Sequence, residues 1–197
     1  MIEPPHPVIL WTIAAIFASL VAGTVLRTLG LRKTEADLRR KRFASLRTWW
    51  LLAIVWSGAF LAGRPGVCLL LALASIMAFR EYCTLLGLRQ KERPAIAVGC
   101  VLAVVNYLLI LFDRPEAFLV FVPIAGLGAV ALGQILQGKA EGYIRTTGSL
   151  FWALMVVVYG MSYAAFLFIL PVAASGPAGP VGYVIFLLVL TEANDIF

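Results

Sequence analysis

Charge is scarce in this chain. Asp, Glu, Lys and Arg make up 13% of its 197 residues, where a soluble domain carries roughly a quarter. A surface so poor in charge excludes an ordinary water-soluble globule. Histidine is nearly absent. His6 is the only one, and it sits among prolines in "MIEPPHP", at an end that frays. Neither histidine acid–base catalysis nor a histidine metal centre is expected. Cysteine is sparse, and Cys68, Cys83 and Cys100 have no metal-type spacing. They lie in or beside apolar runs and read as small core residues. No glycine loop has the Walker spacing, and no internal repeat is visible. The N-terminus lacks the basic stretch of a cleavable signal, so the first apolar run is expected to stay as a span.

What is present is apolar: 62% of the residues are hydrophobic. Several runs reach the roughly 20 residues that a helix needs to cross a bilayer. The fold class expected is all-α, a polytopic membrane protein of about seven transmembrane helices forming one domain over residues 1–197. The spans are Val8 to Leu29, Ala44 to Ala62, Val67 to Tyr82, Ala95 to Phe112, Ala117 to Gln137, Ser149 to Leu170, and Val181 to the last residue. Between the second and third, "GRPG" (Gly63 to Gly66) punctuates the helix. A single long broken helix is the rival reading there.

Charge separates the two. Lys and Arg concentrate in cytoplasmic loops. With a hairpin at Gly63–Gly66 and the N-terminus outside, 14 of the 16 Lys and Arg fall on the cytoplasmic side. Eight lie in Arg27–Arg47 and four in Arg80–Arg93, with Lys139 and Arg145 besides, leaving only Arg64 and Arg114 outside. With one span instead of two, most of this asymmetry is lost. The basic stretches lie between spans, so an anionic lipid surface or simple topology control accounts for them. No nucleic-acid partner is expected. Arg80 and Glu81 read as an interfacial anchor or as support for a substrate pocket. Trp49, Trp50 and Trp56 read as interfacial and packing aromatics. "GLGAVALG" (Gly126 to Gly133) reads as a close-packing stripe.

The last eight residues, "LTEANDIF", interrupt this pattern. Glu192, Asn194 and Asp195 follow an apolar run that enters from outside. Asp195 then lies roughly 21 Å along the helix, in the inner half of the membrane. Glu192 and Asp195 are three apart and share a helix face. Carboxylates in a bilayer cost several kcal/mol unless paired, metal-bound or facing water, and two ionised neighbours repel. An oxygen-rich set of this kind suits Mg²⁺. The segment can equally be the polar end of a short span, part of an ion path in a transporter, or part of a non-catalytic membrane module.

"LTEANDIF" resembles the start of the catalytic segment of the phosphatidate cytidylyltransferase family, the CDP-diacylglycerol synthases. "AFREYCTL" (Ala78 to Leu85) and "GSLFWALMVVVYG" (Gly148 to Gly160) resemble two further stretches of that family. The resemblance covers roughly Ala78 to Phe197 and implies transfer of CMP from CTP to phosphatidate, giving CDP-diacylglycerol and diphosphate. It implies Mg²⁺ held by Asp195, with Asn194 and Glu192 as candidate substrate-binding or orienting residues. It implies the bacterial inner membrane with the site facing the cytoplasm, and it admits a homodimer. The family's Gly-Lys pair, second metal-binding Asp and Ser-x-x-Lys-Thr segment have no counterpart here. The expectation is therefore an N-terminal portion of a longer enzyme, inactive by itself.

Overall fold

In hydrocarbon every backbone polar group must be satisfied within the chain, which leaves helices or closed barrels as spanning structures. All regular elements among the described residues are helical. The computed structural model describes residues 7–30, 36–88, 93–136, 142–170 and 179–196, without the side chains of 27, 29–30, 36–45, 192–193 and 195–196. Seven helices follow in order: α1 (Pro7–Gly30), α2 (Ala36–Leu61), α3 (Gly63–Leu85), α4 (Arg93–Leu111), α5 (Pro115–Leu136), α6 (Tyr143–Ile169) and α7 (Gly179–Ile196). Five of them, α1 and α3 to α6, are long and apolar enough to cross a membrane. The apolar parts of α2 and α7, Leu46–Leu61 and Gly179–Thr191, are shorter.

The boundaries follow from local chemistry. Gly63 takes φ +65°, open to a residue without Cβ. A Cβ on Gly66 would collide with the Ala59 carbonyl and the Ala62 methyl. Residues seven apart in one continuous helix are about 10 Å apart, so the chain turns sharply here and two helices occupy the stretch. "GRPG" is not a loop, however. The helix resumes at Gly63, and Pro65 sits in its first turn, where its missing N–H costs nothing. α3 ends in a paired C-cap: Gly87 N–H donates to Thr84 O and Leu88 N–H to Cys83 O, both at 3.0 Å, with Gly87 at φ +71°. The loop expected over Gly138–Gly148 is shorter than read. Gly142, at φ +71°, starts α6, and Thr146 N–H bonds Gly142 O at 2.9 Å. In α5, Pro123 lies within a π-helical stretch, Phe121–Gly126. A proline removes one ladder bond and crowds the preceding turn.

Contacts divide the chain into two units, Met1–Gly66 and Val67–Phe197. In the first, α1 packs on α2. The Trp50 ring lies 5.8 Å from that of Phe17, and its Nε1–H donates to Thr24 Oγ1 at 3.2 Å. Trp50 is thus a packing residue, and Trp56 meets Phe60 in a tilted ring contact within α2.

In the second unit α4 lies against both α5 and α6. Phe79, Ala103, Val122, Leu150, Leu154 and Val158 meet in its core, all fully buried. Paired contacts give the helix directions. Ser75 meets Tyr107 and Phe79 meets Gly99, so α3 and α4 are antiparallel. Asn106 meets Ser162 while Gly99 meets Leu154, so α4 and α6 are parallel. α7 starts beside Leu167–Ile169 and packs back along 161–166. Its C-terminal end therefore points to the end of the unit where α3 finishes and α4 begins. Of the glycines in the "GLGAVALG" stripe only Gly126 is a close-packing position. A Cβ there would touch Val122 and Leu154, whereas Gly128 and Gly133 have open space around them.

Candidate functional site

The α3–α4 contact is built from two rungs. Ser75 Oγ and Tyr107 OH are 2.7 Å apart and buried, and Ser75 Oγ also lies 3.8 Å from Met161 Sδ. One helical turn further on, the Phe79 ring occupies the space that a side chain at residue 99 would take, and glycine there lets the ring in. Nearby, Asn106 Nδ2 donates to Ser162 Oγ at 2.9 Å, and Ser162 Oγ donates to Tyr159 O at 2.6 Å. These bonds satisfy polar groups that hydrocarbon would not. In the same region, Tyr159 OH donates to Leu119 O, and Tyr163 OH to Tyr159 OH, both at 2.8 Å.

A half-open cavity of about 510 Å³ lies alongside the Phe79 rung, lined, among the described residues, by Ile76 and Arg80 of α3 and by Arg93, Ile96, Ala97 and Cys100 of α4. Arg80 and Ile76 are one turn apart on α3, and Ile96 and Cys100 are one turn apart on α4, so each helix offers one stripe. Among the described lining residues two are cations and none is an acid. Glu81, beside Arg80 in sequence, is exposed and does not line the cavity.

α7 carries the acidic segment. Its backbone is helical through Ile196, so Glu192 and Asp195 keep the spacing of one face. Asp195 lies about 24 Å of helix beyond Gly179. Asn194 is exposed, and Thr191 Oγ1 is engaged with Leu187 O at 2.8 Å. The side chains of Glu192 and Asp195 lie outside the described residues. Val181, Val184 and Ile185 are buried, whereas Phe186, Leu187, Val189 and Leu190 are exposed.

Among the described residues no three His, Cys, Asp or Glu side chains gather to hold a metal. A Mg²⁺ site does not need such a cage. It uses one or two carboxylates, waters and substrate phosphates, and the oxygen-only set of Glu192, Asn194 and Asp195 has that chemistry. Cys68 and Cys83 are buried, in keeping with core residues, but Cys100 is half-buried and faces the cavity. Arg93 was legible only as one loop charge among four. Its pairing with Arg80 was signalled weakly, by the two arginines flanking one short interhelical loop.

Residues 43–197 match the model of the cytidylyltransferase family, the phosphatidate cytidylyltransferase family. The chain belongs to that family. The match runs from α2 through the Thr191–Asp195 segment. Among curated proteins, the chain is 34% identical over 185 residues to the uncharacterized protein YnbB of Escherichia coli strain K12. That alignment covers 94% of this chain and 60% of YnbB, so the chain spans about 60% of its relative's length. No solved structure matches the chain.

Proposed function

We propose that the chain forms part of a CTP-dependent nucleotidyltransferase that transfers CMP to phosphatidate, giving CDP-diacylglycerol and diphosphate. The observation that carries this reading is the continuity of the family match through the polar end of α7, residues 191–195. In the reaction, a phosphate oxygen of the lipid attacks the α-phosphorus of CTP, and the bond to the diphosphate breaks. Transfer of this kind depends on positioning and charge stabilisation rather than on a protein nucleophile. Asp195 would hold Mg²⁺, with Glu192 orienting that carboxylate and Asn194 hydrogen-bonding a phosphate oxygen or a bound water. A bound Mg²⁺ would offset the charge that develops on the leaving diphosphate.

All seven helices span in this reading, with the N-terminus outside a bacterial inner membrane. The positive-inside asymmetry supports that orientation. It turns the Arg80–Arg93 end of the second unit, and with it the end of α7, toward cytoplasmic CTP. The test uses the complete protein purified in detergent. Asp195→Asn should abolish Mg²⁺-dependent formation of CDP-diacylglycerol from CTP and phosphatidate while the protein stays monodisperse. Full turnover in that variant would remove Asp195 from the site.

A further inference from the structure

We infer that the cavity between α3 and α4 binds the phosphate of an anionic phospholipid, with Arg80 and Arg93 on the phosphate and Ile76, Ile96 and Ala97 along the first part of the acyl region. As the docking place of the acceptor lipid, the site rests on the transferase reading. As a lipid-phosphate site, it stands on α3 and α4 alone.

Four observations converge on it. The first is charge. Two exposed arginines line one cavity, with no acid among its described lining residues, and no ion pair engages either one among the described residues. Two like charges turned toward one space are relieved by an anion. The second is shape. The guanidinium fork matches a phosphate in a two-bond geometry that an ammonium cannot offer. The third is the wall. Apart from the two arginines and Cys100, the described lining is aliphatic, as a phosphate carried on a glyceride requires and a nucleotide's sugar does not. The fourth is depth. Arg80 lies five residues before the end of α3, about 8 Å of helix, and Arg93 is the first residue of α4. Both helices are long and apolar enough to span. The cavity thus opens where a spanning segment meets its loop, the level of lipid headgroups. Its volume of about 510 Å³ lies within the range of small-ligand sites.

Cys100 supplies a reporter. It lines the cavity and is half-buried, while Cys68 and Cys83 are buried. The chain in phosphatidylcholine nanodiscs is treated with a small maleimide, and alkylation of each cysteine is read by peptide mass spectrometry. Short-chain phosphatidate should slow labelling of Cys100, whereas short-chain phosphatidylcholine should not. Inorganic phosphate and CTP should protect only at far higher concentration. Each lost charged contact weakens half-protection by about tenfold, so Arg80→Gln and Arg93→Gln should each shift it by that factor. Arg80→Lys keeps the charge but not the fork, and should shift it several-fold.

Continued burial of Cys68 and Cys83 shows that a variant is folded. If the glutamine variants expose them, the Arg80→Lys comparison decides. Protection by phosphatidylcholine equal to that by phosphatidate would overturn the site, as would unchanged protection in folded variants. Protection by CTP or inorganic phosphate equal to that by phosphatidate would overturn the lipid assignment. Protected Cys100 in a complete protein without transferase activity would sink the proposed function and keep the site. Turnover without protection would do the reverse.

Discussion

Gly99→Ala is the sharpest test of the α3–α4 packing. The new methyl would lie well inside van der Waals contact with Phe79 Cζ and Cε1, and 3.5 Å from Leu154 Cδ2. Phe79 and Leu154 are fully buried, so the ring can yield only by displacing its packed neighbours or by turning toward the cavity. Overpacking of this kind costs about 1–3 kcal/mol. Alanine returns up to about 1 kcal/mol of helix propensity over glycine, which leaves a net loss of up to about 2 kcal/mol. The assay is reversible unfolding in mixed micelles, followed by tryptophan fluorescence. Phe79→Leu removes the two clashing ring atoms, so the double variant Phe79→Leu with Gly99→Ala should be more stable than the sum of the single losses. A coupling of about 1 kcal/mol or more is expected, as for residues in contact. The clash also pushes α3 from α4 beside the cavity, so Cys100 labelling should change in the Gly99→Ala variant. Greater stability of Gly99→Ala, or strict additivity in the cycle, would refute the packing described here.

Ser162→Ala removes the acceptor of Asn106 Nδ2. Hydrogen bonds between membrane helices average about 0.6 kcal/mol, so the loss should be of that size, checked in the same unfolding assay. Gly63→Ala meets no neighbour, yet Gly63 has φ +65°. An alanine there should cost about 1 kcal/mol or more through backbone strain alone, and lower the thermal midpoint. A tag at residue 1 should be reached by a membrane-impermeant reagent in intact cells. Its protection would invert the orientation and turn the end of α7 away from cytoplasmic CTP.

The helices were legible because a bilayer demands long apolar runs, and Gly and Pro mark their ends. "GRPG" was read correctly as an interruption. Only its extent differed, since Gly63 can start a helix that Pro65 then joins in the first turn. The start of α6 at Tyr143 was missed because "YIRTTG" is polar enough to read as loop. The polar end of α7 stood out for the opposite reason: acids after an apolar run are conspicuous against so little charge.

What the sequence by itself determined is the membrane class, the positions of the helices and the face shared by Glu192 and Asp195. Helical periodicity and the scarcity of charge are local properties, and they survive without a partner. Only the tertiary structure decided which apolar side chains meet one another and which remain exposed. It made Gly99 the seat of the Phe79 ring, left Gly128 and Gly133 facing open space, and brought Arg93 beside Arg80 across a cavity. The physical reason is that lipid tails are as apolar as leucine. A helix apolar on every side carries no stripe to mark its inner face, so shape and a few hydrogen bonds choose that face.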